Sequence, residues 1–220
     1  MHKIEPTWKK VGAYPQIQKI SPAYDRMSPN SIDKLDRYQE EFPDFQPDFP
    51  VLPLEKKAKT TDMLSCAYLN NLTGWLISDK FSQILANFKS VPYKVYPVSV
   101  CIKNEIVTYY WYHFITPSFA KELVVFNKTQ FTVVGTDEEK CFKTFIDYEN
   151  YENKLLQSEG VFFLKCTFLA VDKSKFDFSY DIFTFGIKYG FYISDKLRNE
   201  LISQKITGID ILPADDLIFV

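Results

Sequence analysis

GWLISDKFSQILANFKSVPYKVYP, running from Gly74 to Pro97, returns without a gap 116 residues later as GFYISDKLRNELISQKITGIDILP, from Gly190 to Pro213. Eight of the 24 positions are identical: Gly74/Gly190, Ile77/Ile193, Ser78/Ser194, Asp79/Asp195, Lys80/Lys196, Leu85/Leu201, Lys89/Lys205 and Pro97/Pro213. Each copy reads as a short strand, a serine, a helix and a second strand. Ser78 and Ser194 stand where the first free amides of a helix need an acceptor. Asp79 and Asp195 follow at the first helical position, where a carboxylate meets the positive helix end. Phe81, Ile84, Leu85 and Phe88 give one helix an apolar stripe, and Leu197, Leu201 and Ile202 give the other its own. Two similar halves around one sheet or platform are expected, the alternative being a local geometry used twice.

Outward from the first copy, residues 93–134 read mainly as sheet. Tyr96, Val98 and Val100 alternate with Tyr93, Val95 and Pro97, and Lys103–Glu105 supplies a turn. The run IVTYYWYHFI that follows carries apolar or aromatic groups on both faces, as a central strand does, or a strand with one face free for a partner. Leu123–Val134 suggests a strand or hairpin with a polar break, and Val161–Val171 suggests a strand rich in aromatic and β-branched residues. Thr61–Asn70 has helical spacing at Leu64, Ala67 and Tyr68, and the apolar end from Leu217 to Val220 is expected to be tied into the body. The fold class that results is α+β: a mixed or mainly antiparallel sheet, a few short helices and two similar strand-helix-strand units.

Proline is concentrated in residues 1–60, where EEFPDFQPDFPVLPLEKK removes amide donors and favours extended chain. Phe42, Phe45 and Phe49 interleave with these prolines, so residues 1–60 are expected to pack as an arm on a single domain spanning 61–220. A disordered tail, or an arm ordered by a partner, are the alternatives. Ser31 can cap a short helix through Glu41, with Ile32, Leu35 and Tyr38 on one face.

Composition narrows function. The 26 basic and 28 acidic residues nearly cancel, and only three arginines are present, so no nucleic-acid partner is expected; Lys56, Lys57 and Lys59 read as solvated. No secretory signal or bilayer-length apolar run occurs, so a cytoplasmic protein without membrane contact is expected. Cys66, Cys101, Cys141 and Cys166 have neither zinc-ligand nor disulfide-scaffold spacing, and no metal or cofactor is expected. A homodimer is possible.

Four constellations carry chemical interest. His113 lies among Tyr109, Tyr110, Trp111, Tyr112 and Phe114, and reads as structural, or as the centre of a composite enzyme pocket with remote carboxylates. Tyr110, Trp111 and Tyr112 are candidates for a protein interface, because such rings bury area and keep a polar edge. Asp137, Glu138 and Glu139, followed by Asp147, Glu149, Glu152 and Glu159, form an acidic region suited to solvent or to a basic protein face. The SDK triplets place serine, aspartate and lysine together, but adjacency in sequence is not contact, and capping is the reading preferred over catalysis.

At GWLISDKF, YPVSVCIKNEIVTYYWYHFI and GFYISDKLRNELISQKITGIDILP, over about residues 70–220, the chain resembles bacterial immunity proteins of polymorphic toxin systems, in particular the DUF1629-like group. The resemblance implies a non-catalytic protein that binds and neutralises a cognate toxin. It transfers no catalytic residue.

Overall fold

The structure, a computed structural model, describes every residue except 10, 39, 70–72, 159–162 and 189, and omits the side chains of 36 and 37. In chain order its elements are β1 (His2–Pro6), a 3₁₀ helix (Ile32–Arg37), β2 (Leu52–Pro53), β3 (Met63–Leu64), β4 (Gly74–Ile77), α1 (Asp79–Leu85), β5 (Tyr93–Ile102) and β6 (Glu105–Phe114). Two 3₁₀ helices (Ser118–Leu123 and Phe126–Lys128) follow, then β7 (Gln130–Val134), β8 (Glu138–Lys140), α2 (Phe145–Leu156) and β9 (Phe163–Val171). The remainder is β10 (Ile182–Phe183), β11 (Phe191–Ile193), α3 (Asp195–Ser203), β12 (Ile209–Pro213) and β13 (Leu217–Phe219). The fold is α+β, and most strand pairs are antiparallel.

The chain divides into two compact units, which differ from the expected arm and single domain. Unit 1 comprises Met1–Thr116, Ser179–Phe183 and Gly190–Pro213; unit 2 comprises Pro117–Phe178, Thr184–Tyr189 and Ala214–Val220. Residues 1–60 all belong to unit 1, and they are more than an arm: β1 is an interior strand, between β11 and β12.

Unit 1 holds two sheets, ordered β2-β5-β6-β4-β3 and β10-β11-β1-β12. They are two versions of one arrangement. In the first, Trp75 lies opposite Tyr112, which lies opposite Val95; in the second, Phe191 lies opposite Ile4, which lies opposite Ile211. Trp75/Phe191 and Val95/Ile211 are each 116 residues apart, so register is preserved across the repeat. Ile77 and Ile193 continue the match, pairing with Met63 on β3 and with Ile182 on β10. The strand that copy one takes from β6 is supplied in copy two by the N-terminus, which no repeat in sequence announces. The repeat segment is therefore one part of a larger repeated unit of four strands and a helix.

The serine caps join the copies. Ser78 Oγ accepts from the Phe81 amide at 3.3 Å and donates to Asp62 at 2.9 Å; Ser194 Oγ accepts from the Leu197 amide at 3.1 Å and donates to Asp181 at 2.7 Å. Each aspartate also holds the chain leaving the other copy's helix. Asp62 accepts from the Thr207 amide and hydroxyl at 2.8 and 2.6 Å, and Asp181 accepts from the Lys89 amide at 3.1 Å. The lysines of the two SDK triplets cross over in the same way, Lys80 Nζ donating to the Gln204 carbonyl at 2.6 Å and Lys196 Nζ lying 4.9 Å above the Phe88 ring. Trp75 and its counterpart Phe191 meet edge to face, with ring centroids 4.8 Å apart. Gly208 admits the close approach: its φ is +84°, and a Cβ there would fall 2.2 Å from the Met63 carbonyl oxygen.

One face of the first sheet is covered by the first 60 residues. Leu76, Tyr96, Val98 and Trp111 pack with Ile17, Ile32, Leu35 and Leu52, and Phe49 leans against Tyr96. Ser31 starts the short helix by accepting from the Asp33 amide. The helix expected over Thr61–Asn70 does not form in the described part, because Met63 and Leu64 pair with β4 and that pairing outweighs local spacing; Asn70 lies outside the described residues.

Unit 2 has a four-stranded sheet ordered β13-β9-β7-β8, with Phe126, Phe131, Phe142, Phe145 and Tyr148 in mutual ring contact. Most of Leu123–Val134 is not strand: 3₁₀ turns occupy Ser118–Leu123 and Phe126–Lys128, and pairing begins at Gln130. The helix α2 was not anticipated, although Thr144 and Asp147 cap it reciprocally. The strand expected over Val161–Val171 is described from Phe163 onward, and the C-terminal Leu217–Phe219 pairs in parallel with it.

Burial acts to raise the Asp62 carboxyl, but the Thr207 and Ser78 hydrogen bonds and the Lys80 charge outweigh it, and the group sits below the usual carboxylate range. Asp62→Ala and Asp181→Ala should each cost about 2 kcal/mol in urea unfolding, since each leaves a cap serine and a helix exit without their acceptor. A depressed folded value means that the Asp62 contribution is present above about pH 4, the unfolded carboxylate value, and is lost as pH falls through the folded value. The acid limb of the stability curve should flatten in Asp62→Asn and keep its slope in a surface control such as Asp44→Asn.

Candidate functional site

The β6 rings alternate between the two faces of the first sheet. Tyr109, Trp111 and His113 point toward residues 1–60 and β3, whereas Tyr110, Tyr112 and Phe114 share the face of Trp75 and Ile77. Tyr109 Oη donates to the Thr61 carbonyl at 2.8 Å, and burial, aided by the Asp62 charge, pushes its phenol up to about 12. Trp111 and Tyr112 are 1% and 4% exposed. Tyr112 stacks on Tyr93 with centroids 5.2 Å apart and shares a 2.8 Å hydrogen bond with Ser82. Two of the three aromatic interface candidates are therefore interior side chains, and only Tyr110 reaches solvent in part.

His113 is fully enclosed. Its Nε2 lies 2.7 Å from the Tyr38 carbonyl, which can only accept, so Nε2 carries the proton and Nδ1 is the bare nitrogen. Nδ1 has no hydrogen-bond partner among the described residues. Phe42 meets the ring edge-on at 5.8 Å, and Lys94 Nζ lies 5.0 Å over Phe42. Burial lowers the imidazole from its ordinary value and Lys94 acts in the same direction, against the Tyr38 carbonyl. This is a neutral packing histidine, held by a main-chain carbonyl rather than by a carboxylate. His2 is equally tied down: it belongs to β1, with Nε2 2.7 Å from Asp195.

The acidic region separates into parts with different work. Asp137, Glu138 and Glu139 are exposed at the turn into β8, the end strand of its sheet, with Asp137 in the left-handed region at φ +56°. Glu138 pairs with Lys140, whose ammonium lies 5.2 Å over Tyr151. Asp147 belongs to the α2 cap and Glu152 accepts from the Tyr148 hydroxyl at 2.7 Å. Glu149 is exposed, and Glu159 lies outside the described residues. Among the described residues no group of three or more His, Cys, Asp or Glu side chains is placed to hold a metal ion. Nor is any helix among them long and apolar enough to cross a membrane. Ser78, Asp79, Ser194 and Asp195 occupy helix starts, Ser78 and Ser194 as the caps.

A chemical cluster absent from the sequence reading lies in unit 2. Lys188, 5% exposed, donates to the carbonyls of Cys166 and Thr167 at 3.3 and 2.9 Å and pairs with Asp216 at 2.9 Å. Cysteine, lysine and aspartate together suggest a nucleophile, but burial pushes the Cys166 thiol up to about 12, beyond what the Lys188 charge recovers. The lysine satisfies strand carbonyls and a carboxylate, which is a structural task. No spacing links residues 166, 188 and 216, so only folding could bring them to notice.

No protein-family model, curated protein or solved structure matches the chain.

Because the folded value of His113 is depressed, protonation favours the unfolded chain. The stability contribution is complete above the unfolded histidine value of about 6.5 and is lost as pH falls below it. The urea midpoint should decline between pH 7 and pH 5, and the decline should shrink in His113→Gln. An NMR titration should show the His113 ring protonating at lower pH than an ordinary histidine.

Proposed function

We propose that this chain is a non-catalytic protein-binding module, and that its binding task is the neutralisation of a cognate bacterial toxin. The observation that carries the binding reading is the outward standing of Asp137, Glu138 and Glu139 on an end strand, in a position to meet a basic partner face. The toxin assignment rests on the resemblance to DUF1629-like immunity proteins. An enzyme centred on His113 is less well supported, since that ring is packed under residues 38 and 42 and offers no carboxylate-assisted base.

Such a hairpin steers and orients a partner rather than supplying most of the buried area, so its effect should be strongest on association rate and salt dependence. The test is co-expression with the products of neighbouring genes, followed by isolation of the complex and a growth-protection assay. A stoichiometric toxin complex is expected, whose affinity falls about tenfold in the triple variant Asp137→Lys, Glu138→Lys, Glu139→Lys. Unchanged affinity in that variant would remove the hairpin from the interface. Failure of the wild-type chain to bind or protect against any of those products would overturn the module reading itself.

A further inference from the structure

The two copies in unit 1 differ at one place where the first shows what the second lacks. In copy one, the space between α1 and β5 is filled by rings: Tyr93 stacks on Tyr112, whose hydroxyl is held by Ser82. The register puts Ile209 at the Tyr93 position, Ile4 at the Tyr112 position and Arg198 at the Ser82 position. Both rings are gone, and a groove of about 290 Å³ remains between α3 and β12.

Ile202 and Ile206 stand in the walls of the groove where copy one has Ala86 and Ser90. Of these, Ile202 is 54% exposed. The rim is cationic, with Arg198 and Lys205 at the edge. Arg198 makes a 3.1 Å hydrogen bond to its neighbour Asn199 and interacts electrostatically with Asp195 one helical turn back, while Asp210, the acid on the adjoining strand, is engaged by the Thr7 hydroxyl. An aromatic ring entering the groove would bring its edge to Arg198, where copy one brings a phenol to Ser82. A guanidinium there can grip a neighbouring carboxylate by paired hydrogen bonds or lie against the ring.

We propose that the groove between α3 and β12 docks an aromatic side chain flanked by carboxylates on a partner polypeptide. The groove belongs to unit 1 and the acidic hairpin to unit 2, and the hairpin needs a partner of opposite charge, so either proposal can fail without the other.

The test titrates the full-length ¹⁵N-labelled chain with the peptide acetyl-Ser-Glu-Tyr-Glu-Ser-amide. Saturable shifts centred on residues 198–211 are expected. Ile209→Tyr restores the residue that copy one carries and should weaken binding about tenfold by occupying the groove; Ile206→Ser does the same by removing apolar wall, should the first variant not fold. Arg198→Ser should weaken the glutamate peptide about tenfold while leaving its glutamine analogue unchanged. The proposal is overturned if a leucine replaces tyrosine in the peptide without loss, if shifts fall elsewhere, or if folded Ile209→Tyr and Ile206→Ser both bind normally. It is also overturned if 4-hydroxyphenylacetate binds as tightly as the peptide, which would make this a small-molecule site, or if the same residues shift with protein concentration alone, which would make it a self-association surface.

Discussion

Unit 1 depends on two aspartates that each hold a helix start and a helix exit belonging to different copies. Asp62 receives Ser78 from its own copy and Thr207 from the other, and Asp181 receives Ser194 and the Lys89 amide in the reciprocal sense. A cap serine alone adds about 1 kcal/mol to a short helix. Here its hydroxyl also donates to a carboxylate that is itself fixed by the opposite copy, so helix initiation and association of the copies are one event. Neither copy has a complete set of partners without the other. The ring contact of Trp75 with Phe191 adds apolar burial at the same junction.

This reciprocity also explains why the N-terminus is interior. Copy one draws its central strand from β6, adjacent in sequence to β5, whereas copy two has no following strand of its own inside unit 1. Residues 2–6 take that place, in the register that β6 uses in copy one. The intervening residues 117–178 fold around their own sheet, and the short segment 184–189 places Lys188 among the carbonyls of β9. A buried ammonium is tolerated there because Asp216 and two carbonyls replace its water.

The copies agree in backbone and differ in what covers them. One face of the first sheet lies under the proline-rich segment, which encloses Trp111 and His113 and leaves the imidazole neutral. On its other face, Tyr93 and Tyr112 fill the space beside α1, while the second copy carries isoleucines and an arginine at the matching places. Divergence between two copies of one frame is more informative than either alone, since the first records a packing solution that the second has given up.

The strand-serine-helix-strand reading, the Lys103–Glu105 turn and the alternation of β5 were legible in the amino-acid sequence because each rests on neighbours a few residues apart: a hydroxyl and an amide three positions on, or a two-residue period. Local spacing failed at Thr61–Asn70, where pairing with β4 prevailed, and α2 was missed despite its Thr144–Asp147 cap. An aromatic run such as Tyr109–Phe114 identifies a strand but cannot say whether its faces meet solvent, a partner or the chain's own first 60 residues. By itself, then, the sequence determined the repeated unit and its caps. Only the tertiary structure decided that Asp62 and Asp181 cross between copies, that His2–Pro6 completes the second sheet, and that Trp111 and Tyr112 are interior, because those outcomes depend on contacts among residues tens to hundreds of positions apart, which no local period encodes.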